Sequence, residues 1–425
     1  MRRAAIALVA AVLALLALLW FLNFRGEDGI GDAPPTKPPA ADSVARGAYL
    51  AKLGNCMACH TERGGAPFAG GRAIDTPFGT VYAGNLTPDA ATGLGEWSPA
   101  QFWRALHNGR SRDGRLLYPA FPYPNYTLVT RAASDAIYDY LRSVSPAKRA
   151  NTPHALRWPY STQAALAVWR ALYFTPGEYQ ADRTQSEPWN RGAYLVGGLG
   201  HCGACHTARN ALGASSDMMD LSGGLIPMQN WYAPSLASPR EASVADWEPA
   251  QIVKLLHTGL APRGTVLGPM AEVVLQSTQH LAASDLQAMA VFLKALPQAK
   301  SEAAPAPAAV MSTQMAARGG KLYEQHCAQC HGDRGEGVPG AYPALAGNRA
   351  VTLPVTANLV QVLLGGGFAP ATAGNPRPFG MPPYATVLND ADMAAVISHI
   401  RAAWGNNASA IGEFDVAQQR GGTGP

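Results

Sequence analysis

From Ala4 to Phe24 every position but Asn23 is apolar, a run of 21 residues preceded by Arg2 and Arg3. As a helix it reaches about 31 Å, enough to cross the hydrocarbon core of a bilayer. A cleaved secretory signal has an apolar region of about 7–15 residues ending at small side chains. This one ends Trp20-Phe21-Leu22-Asn23-Phe24, so the pattern predicts an uncleaved anchor over residues 1–25, with the arginine pair inside and the remainder exported. Beyond it, apolar positions recur at helical spacing, and strand-like alternation is nearly absent. Three amphipathic helices are expected behind capping residues: Ser134-Asp135 before Ala136 to Val144, Ser284-Asp285 before Leu286 to Leu296, and Asn389-Asp390 before Ala391 to Trp404.

Upstream of these helices a second pattern repeats. Arg46-Gly47-Ala48-Tyr49-Leu50, Arg191-Gly192-Ala193-Tyr194-Leu195 and Arg318-Gly319-Gly320-Lys321-Leu322-Tyr323 each read as a short helix. Trp97-Ser98-Pro99-Ala100-Gln101 with Leu106-His107-Asn108-Gly109 returns as Trp247-Glu248-Pro249-Ala250-Gln251 with Leu256-His257-Thr258-Gly259, as a duplication would leave it. A first helix crossing a last one gives three helical domains, at 45–146, 188–297 and 316–404. A Pro-rich tether over 26–44, an Ala/Pro linker over 298–315 and a flexible tail over 405–425 are expected between and after them. The connector 147–187 carries a helix over Ala164 to Phe174, expected to pack between the first two domains, with lipid contact as the lesser alternative.

Composition narrows the function. With 48% apolar and 15% charged residues the 425-residue chain is not disordered. Its net charge of +4 is dispersed, so no basic footprint for nucleic acid exists. All six cysteines fall into one pattern: Cys56-Met57-Ala58-Cys59-His60, Cys202-Gly203-Ala204-Cys205-His206 and Cys327-Ala328-Gln329-Cys330-His331. Two thiols three residues apart can add across the two vinyl groups of one haem while the next imidazole takes the iron. Zinc needs four ligands per metal, into which units of two Cys and one His do not divide, and a redox Cys-x-x-Cys expects a thioredoxin-like βαβ pattern that the sequence lacks. Three covalent haems c are therefore expected, with His60, His206 and His331 as proximal ligands.

A methionine thioether on the other face favours ferrous iron and raises the potential. In the third repeat Met381, in Phe379-Gly380-Met381-Pro382-Pro383, lies in a loop before the closing helix, whereas Met393 is on that helix and reads as core. In the second, Met270 in Gly268-Pro269-Met270-Ala271 takes the corresponding place, with Met228 as rival and Met289 on the closing helix. The first repeat breaks the pattern, because aligning Trp97 with Trp247 puts the stretch Tyr118 to Tyr123, with Phe121 and no methionine, where Met270 stands. Met57 is on the proximal side. His107 shares its position with His257 and so reads as structural, and His154 is a weaker alternative. An open or water-bearing position beside Phe121 remains, and each option lowers the first potential.

The strings Asn190 to Leu195 before Gly200-His201-Cys202, Gly268 to Val274 before Ser277-Thr278-Gln279, and Leu117-Tyr118-Pro119-Ala120 resemble the three-haem cytochrome c subunits of bacterial membrane-bound alcohol, aldehyde, gluconate and other sugar dehydrogenases, over roughly residues 45–404. Ile226 to Tyr232 is more faintly similar to subunits accompanying molybdenum aldehyde or nicotinate hydroxylases. The resemblance implies three tandem cytochrome c domains, in keeping with the mainly α fold read above, and no catalysis on this chain itself; the N-terminal transmembrane helix departs from it, since many family members use a cleaved signal with other membrane contacts. It implies a separate dehydrogenase subunit carrying pyrroloquinoline quinone, flavin or molybdenum, and delivery to ubiquinone or a terminal oxidase from the periplasmic face of the inner membrane. Family members often have Met where Phe121 stands. Two competing readings are a haem enzyme or small-ligand binder using the first haem, and a soluble carrier.

Overall fold

The computed structural model describes residues 2–25, 27, 33–215, 217–299 and 311–421; parts of the expected tether (26, 28–32), linker (300–310) and tail (422–425) lie outside the described residues. The fold is largely helical. The chain divides into two compact units, Met1–Asp182 with Tyr194–Ala204 and Arg209–Met218, and Arg183–Ala193 with Cys205–Ala208 and Met219–Pro425.

The first unit begins with α1 (Arg2–Phe24), whose side chains are exposed almost throughout and buried at Asn23. It continues through α2 (Ala41–Leu53), α3 (Cys56–His60), the hairpin β1 (Ala73–Thr76) and β2 (Gly79–Tyr82), α4 (Pro99–Asn108), α5 (Tyr123–Tyr126) and α6 (Arg131–Ser143). The short β3 (Ala155–Leu156) pairs antiparallel with β2, and α7 (Gln163–Tyr173) follows. The start of α4 is fixed by a reciprocal capping box between Ser98 and Gln101, with Pro99 in the first turn; Gly109 ends it at φ 58°.

Two helices contribute residues to both units, α8 (Glu187–Gly197) and α9 (Gly203–His206). The second unit then has β4 (Gly224–Ile226) paired with β5 (Trp231–Ala233), α10 (Pro249–Thr258), β6 (Leu260–Ala261) paired with β7 (Gly264–Thr265), α11 (Pro269–Gln276) and α12 (Ala283–Lys294). It closes with α13 (Thr313–His326), α14 (Ala328–His331), α15 (Arg349–Thr352), α16 (Ala357–Gly365), β8 (Gly367–Phe368) paired with β9 (Gly380–Met381), α17 (Asp390–Ala402) and α18 (Glu413–Gly421).

The repeated glycines explain how the helices cross. A Cβ on Gly47 would strike the carbonyl oxygen of Ala136 in α6, one on Gly192 that of Ala288 in α12, and one on Gly319 that of Ala395 in α17. Each first helix thus meets its closing helix backbone to backbone, which only glycine permits. Beside two of these crossings the preceding arginine grips the closing helix, Arg191 to Asp285 at 2.8 Å and Arg318 to Asp392 at 2.6 Å. In the first, the matching position is Ala133. Around the third crossing Tyr323, Val360, Met393, Val396 and Ile397 form a core that is almost wholly buried.

Three expectations are corrected. Helix α12 begins at Ala283 behind Ala282, with no side-chain cap, so Ser284 and Asp285 lie inside its first turn rather than ahead of it. Helix α6 begins three residues before Ser134, because Thr130 caps it by accepting from the Ala133 amide, and Ser134 is buried inside the first turns. The stretch 405–421 is not a flexible tail. Buried Arg401 on α17 donates to the carbonyls of Val351, Leu353 and Ser409, Ser398 bonds the Ile411 backbone, and Val416 of α18 is buried. Backbone acceptors gathered by one guanidinium order this segment.

Candidate haem-attachment sites

All six cysteines are free thiols, and among the described residues no group of three or more His, Cys, Asp or Glu forms a metal cluster. Burial, reinforced by the neighbouring thiol, pushes Cys56 up to about 12 and Cys327 up to about 11, so both are protonated thiols at neutral pH.

The histidine that ends each pentapeptide is held by a backbone carbonyl. His60 Nδ1 donates to Gly84 O at 2.7 Å, His206 Nδ1 to Pro234 O at 2.7 Å and His331 Nδ1 to Pro343 O at 2.9 Å. A carbonyl can only accept, so the proton sits on Nδ1 and the Nε2 lone pair is left to bind iron. Burial lowers the pKa of all three against the raising effect of that bond, keeping the imidazoles neutral as ligation requires.

The carbonyl is itself positioned by a frame that occurs three times. The histidine's own carbonyl accepts from Gly70, Gly223 or Gly337, at 2.8, 2.7 and 2.8 Å. Two residues earlier, Phe68, Leu221 or Gly335 accepts from the amide of Leu86, Leu236 or Leu345, at 2.8, 2.9 and 2.7 Å. Those leucines stand two residues after the carbonyls that hold the histidines. The three glycines have φ between 68° and 82°, and a Cβ on any of them would press into the opposing backbone. These residues escaped the sequence reading because their work is done by main-chain atoms; the one signal is a Gly followed later by the x-x-Leu step.

The donor set and the open Nε2 positions therefore fit covalent haem. The distal candidates are placed as follows. Met381 lies on β9 opposite Gly367 and packs, partly buried, on the third core; three residues on, Tyr384 Oη donates to His326 O at 2.8 Å, just before Cys327. Met270 is partly buried in the first turn of α11, beside Gly268, which lies against the Trp231 ring. Its rival Met228 is 61% exposed, and Met289 and Met393 are buried core residues.

Phe121 and Met270 stand at matching steps along the loops that follow α4 and α10, although Met270 is inside α11 and Phe121 precedes α5. Leu117 N donates to Gly109 O at 2.8 Å and Val266 N to Gly259 O at 2.9 Å, each glycine ending its helix with positive φ. Four residues beyond those amides stand Phe121 and Met270. The Phe121 ring is 5.3 Å from Tyr126, whose hydroxyl donates to Gly54 O at 3.2 Å just ahead of Cys56. Tyr126 also meets the His201 ring edge-on at 5.5 Å, so within the first unit one side chain touches the approaches to both Cys56 and Cys202. Burial, then the nearby thiols, raises its pKa well above the ordinary value.

The two substitute histidines have partners within the first unit. His107 is buried, stacked on Trp103 at 4.4 Å, with Nδ1 3.5 Å from Thr127 Oγ1. His154 Nδ1 accepts from the Tyr82 amide at 3.1 Å, which puts the neutral ring's proton on Nε2, the opposite tautomer to that of the three proximal histidines.

Crossed helices, a Cys-x-x-Cys-His turn and a tautomer-fixed histidine define a c-type cytochrome, and the cytochrome c family model matches residues 316–404. The chain belongs to the family of dehydrogenase cytochrome c subunits. It is 37% identical to the cytochrome c subunit of a quinone alcohol dehydrogenase from Gluconobacter oxydans, over 86% of this chain and 79% of that one. It is 35% identical to the gluconate 2-dehydrogenase cytochrome c subunit of Pantoea cypripedii, over 89% of each. A 39% match to one of the nicotinate dehydrogenase subunits of Pseudomonas putida spans 86% of this chain and 31% of that longer protein. The relatives are electron-transfer subunits, so this chain carries electrons and is not itself the catalytic subunit.

Proposed function

We propose that this chain holds three covalent haems c and relays single electrons from a dehydrogenase subunit to ubiquinone or a terminal oxidase. The observation that carries this is the threefold frame around His60, His206 and His331. Cys56 and Cys59, Cys202 and Cys205, and Cys327 and Cys330 are the tethers. Met270 and Met381 are the distal ligands of the second and third sites, and the first has none from methionine. Haem iron supplies one-electron exchange when bound. The residues hold and tune it: carbonyls orient the imidazoles, the crossed helices exclude water, and Tyr126 joins the approaches to the first two sites. The three haem domains are 45–146, 188–297 and 316–404.

The chain is retained in the inner membrane by α1, with the haem domains in the periplasm. Asn23 Oδ1 accepts from Arg170 Nε at 3.1 Å, and Asn23 O accepts from Arg110 Nη2 at 3.0 Å, while Glu27 pairs with Arg110 at 2.7 Å. Arg170 and Arg110 are 2% and 5% exposed. Cleavage near residue 25 would remove Asn23, which both guanidinium groups bond.

The partner carries pyrroloquinoline quinone, flavin or molybdenum. Affinity isolation of the full chain from detergent-solubilised host membranes tests the relay. A larger redox subunit whose substrate reduces this chain, followed by reoxidation with a short-chain ubiquinone or by the oxidase, is expected. A chain that stays oxidised in every such isolate contradicts it.

A further inference from the structure

We infer that α7 lies in the membrane surface beside α1, with Val168 and Leu172 in contact with lipid. The inference rests on the reading of α1 as a retained anchor. Helix α7 is inverted relative to a soluble amphipathic helix: its inner face carries Leu166 and the charged Arg170, whereas Ala164, Val168 and Leu172, four residues apart, form an exposed apolar stripe. Val168 is 44% and Leu172 65% exposed, and the one charged side chain of the helix is turned away from solvent. A stripe of this kind has no stabilising partner in water.

Its neighbour names the occupant. Asn23 Nδ2 donates to Ala167 O at 3.0 Å, tying the middle of α7 to the last turn of α1. In that turn Trp20 and Phe24 stack at 5.3 Å, the aromatic pair expected where a spanning helix leaves the hydrocarbon. The depth of α7 is thereby set at the headgroup boundary. With 11 residues it is about 16 Å long, too short to span and suited to lying in the plane. Trp158, just before the helix, and Leu212, whose carbonyl accepts from Trp169 Nε1 at 3.0 Å, extend the exposed apolar surface.

The test places a nitroxide on Leu172→Cys, on Leu13→Cys in α1 and on Val387→Cys, an exposed position in the second unit, in the full haem-loaded chain reconstituted in phosphatidylcholine and phosphatidylglycerol vesicles. Collisions with oxygen, which concentrates in lipid, and with a water-soluble nickel chelate are compared, after subtracting label on the parent chain. The inference expects Leu172 to behave like Leu13, with an oxygen-to-nickel ratio severalfold above that of Val387. A Leu172 label that matches Val387 while Leu13 reads lipid overturns the α7 assignment and leaves the anchor standing. Suppression of both collisions at Leu172 also overturns it, because protein would then cover the stripe. If Leu13 itself matches Val387, the anchor reading falls and takes this inference with it.

Discussion

The first and third repeats share one main-chain frame around the histidine of the pentapeptide and differ in one side chain of a later loop. Around His60 and His331 the carbonyl bond, the positive-φ glycine and the leucine amide recur with distances that agree within 0.2 Å. Later in each repeat, a loop hung by a tyrosine hydroxyl on the chain just before the first cysteine carries Phe121 in one case and Met381 in the other. Apart from its positive-φ glycine, a frame made of backbone tolerates side-chain drift, whereas ligation by methionine depends on one atom, a thioether sulfur. Duplication can therefore keep the attachment chemistry while the potential of each site moves separately.

The strongest perturbation falls on what the repeats share. Gly319→Ala and Gly47→Ala should each destabilise the protein by about 3 kcal/mol, through a methyl forced against a carbonyl at a helix crossing. Thermal unfolding of the haem-loaded chain checks this, and equal losses would show that the two crossings are equivalent.

The next falls on what they do not share. Met381→Ala should lower one redox wave by on the order of 0.1 V, and Phe121→Met should raise a different one by a smaller amount, since the introduced sulfur is not preorganised. Spectroelectrochemical titration reads both. A Phe121→Met chain with unchanged waves would break the equivalence of Phe121 with Met270.

Smaller still is the ion pair beside the third crossing. Asp392→Asn should cost about 0.5 kcal/mol, because Arg318 is half exposed, and the first crossing, with Ala133 there, already manages without it.

The weakest effect is one of pH. Glu96 pairs with Arg112, and its counterpart Asp246 takes both Arg263 and Arg349. Burial opposes ionisation of Asp246, but hydrogen bonds and charge from Arg349 and Arg263 outweigh it and hold the carboxyl down to about 2. A depressed acid stabilises the fold fully above its unfolded value, about 3.9, and loses that contribution as pH falls toward 2. Unfolding midpoints of the parent chain and of Asp246→Asn should thus differ slightly at pH 7 and converge below pH 4.

Side chains that act as side chains were legible in the sequence. The Cys-x-x-Cys-His turns, the glycines at the helix crossings and the apolar run of α1 each carry their chemistry in residue type and spacing. What stayed hidden works through main-chain atoms. Pro234 and Pro343 serve by their carbonyls, the ordered segment after α17 is collected by Arg401, and Thr130 displaced Ser134 as a cap through local backbone geometry. Asn23, the one polar residue in the apolar run from Ala4 to Phe24, has its partners in Arg170 and the Ala167 carbonyl, which the sequence could not show.

The intact mass of the full chain purified from a host with cytochrome c maturation tests the central claim most directly. The account predicts the polypeptide, with its N-terminal segment retained, plus three haems that survive acid-acetone extraction. A mass carrying one haem, or none, would contradict it.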